Sequence, residues 1–348
     1  MQPIHSIQVL RALAAFMVAI HHVQPDAAMV AARAGMSFTR SDLLPWMAGV
    51  DIFFVVSGFI MVHASQDLFG RDGAAGLFLK RRLARIVPLY WAMTTLFLLV
   101  GLVVPALLNS GVPNLQQVLG SYLFWPVVST QGMVQPVYSL GWTLNYEMLF
   151  YALFAAGLML PRRWTLPAVA LLLALLVGAE SLKGPLALPF GFWGQPIVLE
   201  FAAGMGIAVL RQKGLRLHGA LRIAVALAGA ALLVAAAHVP GTDGAWSSVL
   251  WRGAAAVLLM LAAGCGREGI VPLPPVKALA AVGDASYALY LVHPFVVRGM
   301  REVVLKLGLY SPALYIALAL AGSVVAALLL YRFFEKPATR LARRWLGG

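Results

Sequence analysis

Ten stretches of this chain are apolar over close to twenty residues each, at about 7–23, 46–65, 85–106, 137–159, 165–182, 195–211, 220–238, 246–264, 284–305 and 310–333. A run of that length points to a helix crossing a bilayer. Roughly 20 residues rising about 1.5 Å each match the ~30 Å hydrocarbon layer, and only a helix satisfies its own backbone there. Hydrophobic residues make up 61% of the chain and charged residues 11%, where a soluble domain holds about a quarter charged. The expected fold is therefore an all-α integral membrane protein of about ten transmembrane helices. It forms one domain over residues 1–348 with no appended soluble domain. The opening Met1-Gln2-Pro3-Ile4-His5-Ser6 lacks a basic leader and a small-residue cleavage site, so the first helix is expected to be retained. The single cysteine, Cys265, excludes an internal disulfide and a thiolate cluster.

The loops between the runs differ in basic residues. With the N-terminus inside, the inner loops and tail hold 18 of the 26 Lys and Arg, among them Arg71, Lys80, Arg81, Arg82, Arg85, Arg162, Arg163, Arg211, Arg267, Arg340 and Arg343. The outer loops hold seven. That asymmetry places both termini in the cytoplasm. The net charge of +13 is then mostly a topology signal, and nucleic acid is not expected as a partner. The outer stretch from Leu107 to Pro136 carries no charge but holds Asn109, Gln116, Gln117, Tyr122, Trp125, Gln131 and Gln135. Such a surface suits a sugar or another neutral polyol, or a plain connector lying on membrane lipid.

Against this apolar background the ionisable intruders stand out, because such groups inside a membrane commonly mark a substrate path or reaction centre. Arg11 and His22 are eleven positions apart in the first run, nearly on one helix face and roughly 16 Å apart along the axis. Arg82 and Arg85, at the cytoplasmic mouth of the third run, are i,i+3 neighbours whose forks match phosphate oxygens. They read either as a clamp for a phosphorylated cytosolic donor or as a flank for lipid headgroups. Glu147 lies a few turns below the outer surface. It is suited to orient His22 and equally to pair with a structural arginine. Asp51 is a second candidate carboxylate, and Glu200 a third with a structural reading. His293 reads as part of an acceptor site or as a satisfied packing residue. His63 and Cys265 read as bystanders. No metal-ligand spacing, phosphate-binding glycine loop or nucleophile elbow appears.

Several motifs together resemble one family, the integral-membrane acyltransferase-3 proteins that O-acylate bacterial surface carbohydrates. They are Arg11-x10-His22, Asp51-Ile52-Phe53-Phe54 running to Phe59, Arg82-x2-Arg85 with Pro88-Leu89-Tyr90-Trp91, and Trp142-x4-Glu147-x2-Phe150-Tyr151. Ser286-Tyr287-x2-Tyr290-x2-His293-Pro294 and Phe334-Glu335-Lys336-Pro337 complete the set. The opening from Ser6 to Ala15 looks most like the exopolysaccharide O-acetyltransferase branch. Asn145-Tyr146-Glu147 departs from the more usual Ser-Val-Glu but keeps the carboxylate.

The resemblance implies a bacterial inner-membrane enzyme that moves an acyl group, acetyl above all, from cytosolic acyl-CoA to a carbohydrate hydroxyl on the periplasmic side. It implies Arg11, Arg82 and Arg85 as donor-binding residues and His22 as base, or as a transient acyl carrier. Glu147 or Asp51 would orient the imidazole, and Trp142, Tyr290 and His293 would contact the acceptor. The competing reading is a transporter or flippase of a lipid-linked sugar. It calls for discontinuous helices and internal symmetry, and the sequence shows no such symmetry.

Overall fold

All ten apolar stretches are helical in the computed structural model, which describes residues 4–104, 112–242, 244–266 and 273–347. Asn109 and Arg267 lie outside the described residues. In chain order the helices are α1 His5–Arg33, α2 Ala48–Ala64, α3 Ala74–Val103, α4 Leu115–Tyr122, α5 Trp142–Gly157, α6 Arg162–Lys183, α7 Phe190–Trp193 and α8 Leu199–Gln212. They continue with α9 Gly219–His238, α10 Ala245–Ser248, α11 Ala254–Gly264, α12 Pro274–Asp284, α13 Ser286–Lys306, α14 Pro312–Leu330 and α15 Lys336–Leu346. Wide π turns, Val249–Gly253 and Tyr331–Glu335, join α10 to α11 and α14 to α15. No extended strand occurs among the described residues.

Six helical stretches are long and apolar enough to span a bilayer. A seventh qualifies if α12 and α13, bent by 75° at their junction, count as one. The others differ for a physical reason. The segments at α2, α5 and α8 form helices of 17, 16 and 14 residues, below the usual span length. The exposure pattern identifies the surrounding solvent. On α9 Leu221, Ile223 and Leu227 are exposed, and on α6 so are Leu171, Leu172 and Leu175. Apolar surface on that scale is compatible with lipid and not with water.

The chain packs as two compact units interleaved in sequence: Met1–His63 with Ala203–Arg332, and Ala64–Ala202 with Phe333–Gly348. In the first unit the bend after Asp284 lets both arms of the α12–α13 pair reach α1. Gly283 of α12 lies against the backbone carbonyl of Gln8, leaving no room for a side chain. Further along, His293 of α13 meets His22, and Arg301 meets Asp26 at 2.5 Å. Residue numbers rise together along the two helices, so α1 and α13 run parallel. Val23, Ala27 and Val30 of α1, Val297 and Val304 of α13, and Tyr315 and Ala319 of α14 close the core beside them. Glycine makes other close approaches in this unit, Gly49 to the Ala14 carbonyl and Gly204 to that of Val55. This is the small-residue packing that apolar helices in lipid rely on.

In the second unit α3 and α5 are antiparallel. Phe78 contacts Tyr151, Tyr90 lies against Gly141, and Phe97 contacts Tyr138. The uncharged loop is partly folded here as α4, whose first turn is capped by Asn114 Oδ1 accepting from the Gln117 amide at 2.8 Å. α15 packs on α3.

The Gly283 contact has a measurable consequence. Gly283→Ala would drive a methyl group into the α1 backbone and should cost about 2 kcal/mol or more. Gly299→Ala, with open space around it, should leave the protein unchanged. Thermal unfolding of the two detergent-solubilised variants by intrinsic fluorescence separates the cases, and an unaltered midpoint for Gly283→Ala would refute the packing argument.

Candidate active site

The first unit brings His22 and His293 together. Both Arg11 and His22 lie on the uninterrupted α1, which runs on through Pro25. His22 is partly exposed and His293 is fully buried. Their rings are 5.1 Å apart, and Nε2 of His293 is 3.3 Å from Nδ1 of His22. Nδ1 of His22 also lies 2.9 Å from the Val18 carbonyl, and Nδ1 of His293 lies 3.0 Å from that of Leu289. A carbonyl can only accept, so both Nδ1 atoms carry the proton in the neutral rings. Nε2 of His293 is then left to accept from His22, and Nε2 of His22 bears a lone pair. Among the described residues that atom has no hydrogen-bond partner. The tautomer is what a proton acceptor requires.

Pro294 contributes to this arrangement. It has no N–H for the Tyr290 carbonyl one turn back, and the imidazole of His293 reaches that carbonyl as well as that of Leu289. Tyr290 is buried and packs edge-on to Phe53, with its ring 6.4 Å from that of His293. Arg298, one and a half turns beyond His293, is close enough for its charge to act on His22. It was legible in the sequence only as an arginine interrupting an apolar run.

Asp51 and Glu147 each have a partner within their own unit. Asp51 is 1% exposed, and its Oδ1 lies 3.5 Å from Nε of Arg252. An ionised group sunk in a membrane protein characteristically takes an opposite charge as partner, and Asp51 takes Arg252. The orientation of His22 anticipated from a carboxylate comes in this unit from a carbonyl and a second imidazole. Glu147 belongs to the second unit. Within that unit the Tyr151 hydroxyl, one turn along α5, is its hydrogen-bond partner, and Arg82 lies within range of its charge.

Arg82 and Arg85 sit one turn apart on α3. The Arg82 guanidinium lies over the Phe78 ring at 5.8 Å, and its Nε is buried with no hydrogen-bond partner among the described residues. Arg11 is in the first unit, where its guanidinium donates to Gln8 Oε1 at 2.7 Å. Trp142 opens α5 and is edge-on to Tyr146, which stacks on Phe192 at 4.3 Å. Asn145, noted in the sequence only as a departure from the family's usual serine, is a further polar residue of α5. It is 1% exposed, and neither side-chain amide atom has a partner among the described residues. Among those residues no three potential metal ligands come together.

Helices of bilayer length that keep titratable groups in their interior define a multi-pass membrane protein. Its kind follows from comparison: residues 4–332 match the family described as Acyltransferase domain, and the chain belongs to that family. The protein is an acyltransferase. It is 37% identical over 312 residues, 85% of this chain and 90% of the relative, to the exopolysaccharide production protein ExoZ of Rhizobium meliloti (strain 1021). It is also 28% identical to the acyltransferase MdmB of Streptomyces mycarofaciens over 375 aligned positions, 97% of this chain and 92% of that one. No solved structure matches the chain.

The Asp51–Arg252 pair sets a test of what Asp51 does. Asp51→Leu alone leaves the half-buried Arg252 without its carboxylate and should destabilise by about 2 kcal/mol, while Asp51→Leu with Arg252→Met should recover most of that loss. The thermal midpoints of the three proteins check it. A double variant no more stable than Asp51→Leu would show that the pair is not what Asp51 is held for.

Proposed function

We propose that the protein is an inner-membrane O-acetyltransferase of ten spans with both termini cytoplasmic, acting as a single domain, with acetyl-CoA as donor and a surface carbohydrate such as exopolysaccharide as acceptor. Support for the topology comes from the loop charges, and from helix directions that agree with it: α1 and α13 are odd-numbered spans and parallel, whereas α3 and α5 are consecutive and antiparallel. The acceptor class is supported by the name of the Rhizobium relative and by the uncharged outer loop. There Trp125 is half exposed, edge-on to Trp193 at 5.1 Å, and the indole N–H of Trp193 is buried without a partner among the described residues. An exposed indole face suits the apolar face of a sugar ring.

The observation that carries the chemistry is the tautomer of His22. Its Nε2 lone pair takes the proton from the acceptor hydroxyl as the oxygen attacks the thioester carbonyl. The C–O bond forms, the carbonyl oxygen becomes an oxyanion, and the C–S bond then breaks. The coenzyme leaves as thiol after taking the proton back from the imidazolium. Arg298, whose charge reaches His22, supplies positive potential for the oxyanion. His293 holds the tautomer and shares the proton load, Tyr290 packs beside it, and Trp142 lies on the acceptor side. Arg82 and Arg85 hold the donor's phosphates, with Arg11 on the same helix as the base. Glu147 fixes Arg82 and Tyr151. The donor requires no metal.

Mass spectrometry of surface polysaccharide tests this. A deletion strain should lose about one acetyl mass per modified sugar while exporting the polymer at normal yield. Complementation with wild type should restore the ester, and His22→Ala should not. Full esterification with His22→Ala overturns the base assignment, and loss of the polymer itself would favour a transporter.

A further inference from the structure

The cationic cluster on α3 does not end with that helix. α15, Lys336–Leu346, has Lys336, Arg340, Arg343 and Arg344 and no acidic residue. It packs on α3 within the second unit. Its register is fixed at its C-terminal end, where a Cβ on Gly347 would lie 3.9 Å from Nζ of Lys80. Arg343 is four residues before Gly347 and so on the same helix face, and its charge acts on Arg82. Arg82, Arg85 and Arg343 therefore gather at one place, with Lys80 at the C-terminal end of α15. Arg343 is exposed and able to move, while Arg82 is held on Phe78 with its Nε unpartnered.

Like charges brought this close repel, and topology alone does not require it, since a positive-inside flank is satisfied by basic residues scattered on any inner loop. Among the described residues the carboxylate whose charge acts on Arg82 is Glu147, itself bonded to Tyr151. An arrangement with a surplus of guanidinium forks and a buried donor left over is complementary to a multiply charged phosphate ligand.

We propose that the C-terminal helix is part of the donor site, and that Arg343 closes on the phosphate groups of the nucleotide end of acyl-CoA from the side opposite Arg82 and Arg85. This rests on the donor reading above. The same phosphate chemistry is offered by an anionic lipid headgroup, and the two sources differ in what they predict.

Equilibrium binding of coenzyme A and of phosphate-free pantetheine to full-length protein in discs of phosphatidylcholine tests the proposal. Wild type should prefer coenzyme A. Arg343→Ala should weaken coenzyme A about tenfold and leave pantetheine unchanged, and Arg343→Lys should recover part of the loss. Arg344→Ala removes the same charge about 100° round the helix and should bind as wild type does. Gel filtration establishes that each variant is folded, and the Lys variant keeps the test open if Ala is not. A wild-type preference retained in Arg343→Ala overturns this inference alone, whereas a wild type indifferent to phosphate overturns the donor reading with it. If Arg343→Ala matters only when phosphatidylglycerol is added to the discs, the ligand is lipid and the proposal fails.

Discussion

Every ionisable group inside an apolar helix needs a partner, and that requirement organises this structure more than hydrophobic burial does. Between helices in lipid there is little hydrophobic driving force, because the tails are as apolar as leucine. What remains is close packing and polar contact. In the first unit the polar contacts join segments far apart in sequence: Asp51 with Arg252, Asp26 with Arg301, and His22 with His293. Each fixes a rotation and a height at once, since a slip of one residue would carry a charged group about 100° away from its partner. Gly283 against Gln8 and Gly204 against Val55 supply the close packing, and they too tolerate one register only.

How much of this was legible depended on the range of the information. Helix position was local and therefore readable: all ten apolar stretches are helical. Helix length was less so, because α5 starts at Trp142 after a 3-10 turn over Ser139–Gly141 and α8 follows another over Pro196–Val198. The bend between α12 and α13 left no composition signal, since Ala285 is an ordinary residue in a non-helical conformation. The ionisable residues that pair in the first unit, Asp51, His22 and His293 among them, stand out in the sequence against apolar surroundings. The pairings do not. That a membrane carboxylate takes a partner is a rule about one residue, but whether Asp51 takes His22 or Arg252 depends on how α2 is rotated, which no window of sequence contains. Arg252 and Arg298 interrupt otherwise apolar runs, and in the structure Arg252 pairs with Asp51 while the charge of Arg298 reaches His22.

The histidine pair illustrates how an imidazole tautomer is fixed without a carboxylate from its own unit. Fixing an imidazole tautomer needs an acceptor at one ring nitrogen, and a backbone carbonyl provides one without charge. In a low-dielectric setting that difference is large: a carboxylate next to a neutral imidazole carries its own desolvation penalty until the imidazolium forms, whereas a carbonyl carries none. Ordinarily helix carbonyls are occupied by the amide four residues on. Val18 and Leu289 accept a second bond through their other lone pair, and Pro294 leaves the Tyr290 carbonyl without its usual donor. The proline after His293 thus makes one further backbone acceptor available to the ring at the depth where His22 approaches it. Asp51 is then free to neutralise Arg252, and Nε2 of His22 keeps a lone pair with no partner among the described residues.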